Sequence, residues 1–226
     1  MEGSLFVYGI KTMKALILVN GELYSPGVLR RRIRAETFDL VLGADRGACY
    51  AKTLHVTLDA VIGDLDSLPD SARQSIDNVE FISYPSGKNE TDLELALLYA
   101  KEKGAERIVI IGAMGGRMDM TIGNIMLITN TSFSSCRIEV WHGEQTGWVI
   151  KPPGEDISGR PGDTVSLIPL GGNASGITTE GLAYPLKGAE LPSGSVRGIS
   201  NLLEKSSAHI KLSDGLLLAV HTPGRA

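Results

Sequence analysis

Several short runs of consecutive apolar residues in the first half of the chain constrain its fold more than any other feature. Those at 14–19, 39–43 and 107–111 show no alternation with polar residues. A strand of this kind is buried on both faces, as in the parallel sheets of α/β proteins. Further strands are predicted at 59–63, 79–84 and 137–141. We therefore expect an α/β fold, with an open, mostly parallel, Rossmann-like sheet and flanking helices over residues 13–142.

Helices are predicted between some of these strands. Thr91, followed three residues later by Glu94, is a capping-box signature, and Gly104 is a typical helix end. A second helix is expected to run through Asn124. The basic run at 30–34 is typical of a solvated helix face, and the alternative is a patch that binds phosphate or a partner.

The pattern changes after about residue 143, where helical periodicity disappears and Gly and Pro separate short runs. Apolar and polar residues alternate over 208–213, which predicts a half-buried strand. Asp214 and Gly215 separate this run from the apolar run at 216–220, and Asp-Gly between two such runs predicts a hairpin. We expect residues 143–226 to form a small antiparallel, β-sandwich-like domain.

Composition argues against several classes of protein. The formal net charge of −4 does not suit a nucleic-acid-binding surface, which needs to be basic. No apolar run reaches the ~18–20 residues that span a bilayer, and no secretory signal is recognisable. Cys49 and Cys136 lack metal-ligand spacing. We expect a cytoplasmic protein that binds neither nucleic acid nor membrane.

Two carboxylates follow the predicted strand at 59–63. Asp64 and Asp66 are two positions apart, so in extended backbone they face the same side, roughly 6–7 Å apart. Carboxylates this close repel each other unless a cation lies between them, and Mg²⁺ is a common occupant. The alternative is a solvated acidic turn. Asp92, in the first turn of the predicted helix, either complements the helix dipole or supplies a third metal ligand.

Other candidate residues lie at the ends of neighbouring strands. Asp45 and Gly47 follow the second strand, where open α/β sheets place ligands. Gly115, Gly116 and Arg117 lie between a strand and a helix, where backbone N–H groups can approach phosphate oxygens. This segment lacks the Walker lysine and the dinucleotide-binding glycine spacing, so as an isolated phosphate-binding motif it is weak.

Taken together and in order, four segments resemble the thiamine pyrophosphokinase family: Ala-Asp-Arg-Gly-Ala at 44–48, Gly-Asp-Leu-Asp-Ser at 63–67, Lys-Asn-Glu-Thr-Asp-Leu-Glu at 88–94 and Gly-Gly-Arg-Met-Asp at 115–119. The segment Arg-Gly-Ile-Ser-Asn at 197–201 resembles the part of that family that contacts thiamine.

The resemblance implies transfer of a pyrophosphoryl group from ATP to thiamine, giving thiamine diphosphate and AMP, with Mg²⁺ required. It also implies a homodimer in which thiamine lies between the catalytic domain of one subunit and the β-rich domain of the other. On this basis Asp64, Asp66 and Asp92 are expected to hold Mg²⁺. Lys88 and Arg117 are expected to contact the polyphosphate.

The remaining assignments also follow from the resemblance. Ser200 and Asn201 are expected to contact thiamine, and Asp45 and Asp119 are candidate carboxylates for metal-bound water, ribose or the aminopyrimidine of thiamine. Residues expected to bind ATP or to form the site wall are Asp45, Gly47, Thr91, Gly115, Gly116 and Asp119. The chain departs from the family pattern at Arg46, Asn89 and Met120, and Met120 bears most on substrate positioning.

Two alternatives remain open from the sequence. In a phosphohydrolase of the aspartyl-phosphate type, Asp64 and Asp66 would act as nucleophile and acid, but the Gly-Gly-Arg segment and the β-rich half would have no role. In a non-catalytic thiamine or nucleotide sensor the fold would bind its ligand without turnover, and Asn89 and Met120 are the residues that support it.

Overall fold

The computed structural model describes residues 12–64, 79–85 and 87–224, and within them the chain forms two β-sheets with helices against one of them. The strands are β1 Lys14–Leu18, β2 Leu40–Ala44, β3 Ala60–Gly63, β4 Glu80–Ser83, β5 Arg107–Ile111, β6 Arg137–His142, β7 Gln145–Ile150, β8 Gly154–Ser158, β9 Thr164–Pro169, β10 Ala174–Glu180, β11 Ala189–Leu191, β12 Asn201–Leu202, β13 Ser207–Lys211 and β14 Leu217–Thr222. The helices are α1 Pro26–Arg34, α2 Tyr50–Leu54, α3 Asp92–Glu102 and α4 Met118–Leu127, with 3₁₀ helices at Asp45–Cys49 and Thr131–Phe133.

The larger sheet has ten strands in the order β12-β9-β14-β7-β6-β5-β1-β2-β3-β4. Strands β1 to β6 pair in parallel with their neighbours, while β6 and β7 pair antiparallel, as do the strands beyond them. The six strands predicted in the first half of the chain are confirmed to within one residue at their starts and ends.

Strand β1 shows why these runs are apolar throughout. Ala15 and Ile17 contribute to the core under α3, while Leu16 and Leu18 contribute to the core under α1 and α2. All four side chains are fully buried. The expected burial of this strand on both faces is confirmed, because helices cover the parallel part of the sheet on both sides.

Helix α3 begins as predicted. The hydroxyl of Thr91 accepts a hydrogen bond from the backbone N–H of Glu94 at 3.2 Å, which satisfies one of the free donors of the first turn. Leu93, Leu97 and Ala100 are buried against the sheet. The cap therefore fixes where the helix starts, and its apolar face fixes how it packs.

The second half of the chain forms a β-sandwich. The smaller sheet has the order β11-β10-β13-β8 and is antiparallel throughout. It packs against β7, β9 and β14 of the larger sheet, with Trp148, Leu167 and Leu217 on one side of the core and Ile177 and Ile210 on the other. Within the described residues no helix follows Phe133. The expected fold class, an α/β half followed by a β-sandwich-like half, is confirmed.

The predicted hairpin at Asp214 and Gly215 is wrong, although both strands exist. Strand β13 pairs with β8 and β10, whereas β14 pairs with β7 and β9 in the other sheet. The reason lies in burial. Leu217 belongs to the sandwich core and Leu218 to the core on the opposite face, so β14 needs cover on both sides. The Asp-Gly turn, with Gly215 at φ 86°, therefore carries the chain from one sheet to the other.

The predicted solvated face of the basic run at 30–34 is correct for Arg31 and Arg34, which are exposed, and wrong for Arg32. The Arg32 guanidinium stacks on the ring of Trp141, 3.9 Å from its centroid. It also donates to the carbonyl oxygen of Gly143 at 2.8 Å. A planar guanidinium can satisfy an aromatic face and backbone oxygens together, which a helix-wheel pattern does not reveal.

A partly buried charge network joins β5, β6 and the segment after α1. Arg107 donates to Glu139 through Nε at 3.1 Å and Nη2 at 2.8 Å, and it also pairs with Glu36. Trp141 donates from Nε1 to Glu139 at 3.1 Å. Burial raises the pKa of Glu139, but the hydrogen bonds and charge of Arg107 outweigh it, and the pKa is lowered.

No helix among the described residues has the length and apolar character needed to cross a membrane.

Replacing Glu139→Gln should lower the free energy of unfolding at pH 7 by about 3 kcal/mol, because Arg107 loses a buried charged partner. The folded-state pKa of Glu139 lies below its unfolded value of about 4.3, so its contribution is complete above that pH and disappears as pH falls through the folded pKa. Urea unfolding from pH 7 to pH 3 measures both. The control is Glu102→Gln, at an exposed helix end. A constant difference between the wild type and Glu139→Gln over this range would contradict the prediction.

Candidate functional site

A cavity of about 420 Å³ opens at the carboxyl ends of β1, β2 and β5. Strand β1 lies between β2 and β5, and the order of the strands reverses there, which is where open α/β sheets bind ligands. The polar, glycine and methionine residues of its lining are Asn20, Gly21, Asp45, Asp92, Gly115, Gly116, Arg117, Met120 and Asn124.

Gly63, the last residue of β3, brings two of the predicted carboxylates together. A Cβ atom added at Gly63 would lie 3.0 Å from Cβ of Asp45 and 3.1 Å from Oδ1 of Asp92. Asp64 follows directly in the chain. Asp45 and Asp92 therefore come from two separate segments to one corner of the cavity, and only a residue without a side chain at position 63 leaves room for them.

Asp45 is held in an uncommon backbone conformation. It begins the 3₁₀ helix after β2 with φ 46°, in the left-handed region, and its Oδ1 atom is withdrawn from solvent. Such a conformation costs of order 1 kcal/mol or more for a residue other than glycine, and it is concentrated at functional sites. In this conformation Asp45 lines the cavity.

Lys88 lies beside the cavity and donates to Oδ1 of Asp92 from the preceding turn of chain. Its side chain is 12% exposed, against 29% for Asp92, so the ammonium is more enclosed than the carboxylate. An enclosed lysine that already neutralises one carboxylate at a cavity rim is well placed to meet a second anion there.

The glycine-rich loop between β5 and α4 forms the opposite wall. Gly115 and Gly116 have φ 83° and 70°, and nothing lies within 4 Å of a Cβ added at Gly116. Arg117 and Asp119 form an exposed ion pair, with Nη2 and Oδ2 2.5 Å apart, and hydrogen bonding from Arg117 lowers the pKa of Asp119. The Gly115 N–H already donates to Oγ1 of Thr121 at 3.1 Å, so the loop offers open backbone at Gly116 and a guanidinium at the start of α4.

Some predicted site residues lie outside this lining. A Cβ at Gly47 would lie 2.2 Å from the carbonyl oxygen of Leu18, so this glycine allows the chain to pass close under β1. Thr91 caps α3 and, with Asp119, lines a neighbouring groove between α3 and α4. Asp66 lies outside the described residues.

Ser200 and Asn201 lie far from the cavity of their own chain. Ser200 directly precedes β12 and Asn201 begins it; β12 is the edge strand, separated from β5 by β9, β14, β7 and β6. At about 4.8 Å per strand this amounts to roughly 24 Å along the sheet. Ser200 is exposed and has φ 60°, whereas the buried side chain of Asn201 is hydrogen-bonded to the backbone of Tyr184.

Sequence reasoning missed Asn20, Gly21 and Asn124 as cavity residues. Asn20 and Gly21 directly follow β1, so the rule that selected Asp45 would also have selected them. Asn124 is 5% exposed and donates from Nδ2 to the carbonyl oxygen of Ala113 at 2.8 Å. Its signal was a polar residue within an otherwise apolar helix segment.

Within the described part of the chain, no three Asp, Glu, His or Cys side chains are grouped closely enough to hold a metal ion. The predicted set of Asp64, Asp66 and Asp92 includes one residue outside that part. Its donor chemistry nevertheless suits Mg²⁺, which prefers carboxylate oxygens and phosphate.

An α/β sheet with a carboxylate-lined cavity at its switch point, joined to an antiparallel sandwich, defines a two-part protein that binds a small molecule. Residues 34–140 match the family model "Thiamin pyrophosphokinase, catalytic domain", and residues 150–217 match "Thiamin pyrophosphokinase, vitamin B1 binding domain". The chain belongs to the thiamine pyrophosphokinase family, whose members are enzymes.

Individual relatives agree with this assignment. Thiamine pyrophosphokinase of Bacillus subtilis is 30% identical over 187 residues, which cover 81% of this chain and 87% of that protein. A crystal structure of the Bacillus subtilis enzyme is similar with a TM-score of 0.81 at 25% identity, covering 93% of this chain and 99% of that one. The yeast thiamin pyrophosphokinase structure, at 18% identity, has a TM-score of 0.79 over 95% and 88% of the two chains, and it supports the fold alone.

Replacing Gly63→Ala should lower the catalytic rate by about 100-fold while the chain stays folded, since the added methyl group displaces Asp45 or Asp92. Gly172→Ala is the matched control, because nothing lies within 4 Å of its added Cβ. Steady-state kinetics and thermal unfolding of both variants test this. A Gly63→Ala variant with wild-type turnover would show that these carboxylates do not need their present positions.

Proposed function

We propose that the chain transfers a pyrophosphoryl group from ATP to the hydroxyl group of thiamine, with Mg²⁺, and releases thiamine diphosphate and AMP. The observation that carries this proposal is the meeting of Asp45 and Asp92 over Gly63, in the same cavity as the Gly115–Gly116 loop. A polyphosphate substrate requires carboxylates that hold a metal ion and a glycine loop that contacts the phosphates.

In this proposal Asp64, Asp66 and Asp92 hold Mg²⁺. Mg²⁺ bound there would supply charge neutralisation to the polyphosphate. The carboxylates contribute by fixing the position of the ion, and the crowding of Asp92 against Gly63 supports a fixed carboxylate. Lys88, which already contacts Asp92, remains beside it and meets the charge that develops on the phosphates.

The glycine loop and α4 hold the ATP polyphosphate from the other side. Gly116 leaves the backbone accessible, and Arg117 supplies a forked donor at the helix start. Asp45, Gly47, Thr91 and Asp119 form the ATP site or its walls. Because phosphoryl transfer needs alignment more than covalent help, these residues act by holding the β-phosphorus in line with the thiamine hydroxyl.

The two halves have separate roles in the proposal, with residues 13–142 catalytic and residues 143–226 binding thiamine and forming a homodimer. The position of Ser200 and Asn201, roughly 24 Å along the sheet from the cavity of their own chain, supports a thiamine site shared between subunits. Exposed apolar residues support an interface. Tyr184 and Val196 are 69% and 72% exposed, and Met118 on α4 is 77% exposed.

We also propose a cytoplasmic location. Both cysteines, Cys49 and Cys136, are free thiols in the structure, which suits a reducing compartment.

Product analysis tests the reaction. Purified protein with MgATP and thiamine should form AMP and thiamine diphosphate in equal amounts, and neither should form when thiamine is omitted. Chromatography with ³¹P detection distinguishes AMP from ADP. The same assay is run on the Asp92→Asn variant. This variant should form both products at least about 100-fold more slowly, because a metal-binding charge is lost.

Other products would contradict the proposal in identifiable ways. ADP with thiamine monophosphate would indicate attack at the γ-phosphorus. Phosphate released without thiamine would favour the hydrolase, and a thermal shift with thiamine but no product would favour the sensor.

A tagged heterodimer tests the shared site. One chain carries Asp92→Asn and the other carries Ser200→Arg, whose added cation repels the cationic thiazolium ring. Each homodimer should be inactive, whereas the purified heterodimer keeps one intact site of two and should recover about half of wild-type activity. Activity is measured after tandem-affinity purification.

The control replaces Ser200→Arg with Ser193→Arg, at another exposed serine of the same half. That homodimer should remain fully active. A heterodimer as inactive as its parents, or a monomeric wild type in sedimentation, would show that each chain builds its own site.

A further inference from the structure

A second, larger groove lies on the other side of β6 from the cavity and shares no lining residue with it. This α1 groove has a volume of about 760 Å³ and lies between α1, the β6–β7 turn, the β8–β9 turn and the end of β14. The residues that define it here are Arg31, Arg32, Thr146, Arg160, Asp163 and His221. Neither the family match nor the proposed reaction gives it a role.

Arg32 lines the α1 groove and is held in place by several contacts. Its guanidinium donates to the carbonyl oxygens of Gly143 and Gln145, at 2.8 Å and 3.1 Å, and to the hydroxyl of Thr146 at 2.6 Å. It also stacks on Trp141. All of these partners are uncharged, so within the described residues the cation is oriented without a directly bonded carboxylate.

The protein keeps this cation at an energetic cost. Burial lowers the pKa of Arg32 to about 10, against the opposing influence of Glu139 and Glu36. Desolvation of a cation is offset when an anion approaches it. An anion in the α1 groove would therefore be stabilised by a positive charge whose position is already fixed, with little further loss of side-chain freedom.

The other charged groups of the α1 groove add to this preference. Arg31 and Arg160 are exposed at its rim, and no hydrogen bond or ion pair of either side chain occurs among the described residues. Asp163 is already occupied, accepting from the backbone N–H groups of Arg160 at 2.8 Å and Gly224 at 2.7 Å, with Nε2 of His221 at 2.9 Å. Three arginines against Asp163 and Glu144 leave the lining positive in a chain of net charge −4.

We propose that the α1 groove binds a phosphate-bearing small molecule, with Arg31 and Arg160 contacting the phosphate and Arg32 providing a fixed positive charge behind it. Arginine guanidinium groups match phosphate geometry, and the side chains of Arg31 and Arg160 have no competing partner among the described residues. The proposal does not depend on the proposed function, since the two sites have no residue in common.

Residue-resolved NMR separates this site from the cavity. The full chain is titrated with inorganic phosphate at constant ionic strength, and the Arg32 Nε–H and Gly159 N–H signals are followed beside those of Gly115 and Gly116. The Arg32 and Gly159 signals should shift saturably, with a Kd of about 1 mM. The double variant Arg31→Gln/Arg160→Gln should raise this Kd at least about tenfold, because both direct phosphate contacts are removed.

The matched control is Arg30→Gln/Arg34→Gln, which removes the same charge from the opposite side of α1, where both arginines lie 3.4 Å from a ring nitrogen of His55. The Kd of this control variant for phosphate should stay within about twofold of the wild-type value.

The proposal is overturned if the Arg32 and Gly159 signals do not saturate. It is also overturned if both double variants weaken binding equally, which indicates only diffuse electrostatic attraction. Equal affinity for acetate would overturn the phosphate assignment. Thermal unfolding verifies that each variant is folded. If a double variant does not fold, the single variant Arg160→Gln is titrated in its place.

Discussion

The burial of residues 15–18 of β1 on both faces of the sheet is the constraint on which the rest of the structure depends. Its odd-numbered side chains enter the core under α3 and its even-numbered side chains the core under α1 and α2, so neither layer of helices can shift independently of the strand. Pairing with β2 on one side and β5 on the other then places the switch point of the sheet at its carboxyl end. The cavity is a consequence of that topology, and the chain needs only suitable residues at the ends of the strands.

A second constraint joins the α/β half to the β-rich half. Strands β6 and β7 pair directly, so one sheet passes from the parallel part into the sandwich without interruption. Arg137 strengthens this junction, because its guanidinium lies 4.9 Å from the ring centroid of Trp148 and 2.5 Å from Glu155 of the smaller sheet. The distance between the cavity and Ser200 is therefore set by a rigid element. A small rearrangement within one chain would not bring the two groups of predicted site residues together.

How far the sequence could predict this structure differs between elements. The strands of the first half and the cap of α3 depend on local chemistry, namely apolar runs and a hydroxyl three residues before an acidic one, and they were predicted correctly. The prediction of a hairpin at Asp214 and Gly215 was wrong, because a turn signal describes the turn and not the sheet that each flanking strand joins. Arg32 was misassigned for a similar reason, since the hairpin carbonyls and the Trp141 ring that bury it are distant in the chain.

The sequence by itself determined which segments become strands and helices and, through its motifs in order, the family. Only the tertiary structure decided that Asp45 and Asp92 meet over Gly63, that Asn124 lines the cavity, and that Ser200 lies far from it in the same chain. The physical reason is that local preferences depend on neighbours in the sequence. Distances between side chains depend instead on strand order and on which faces are buried, and these are settled by packing across the whole chain.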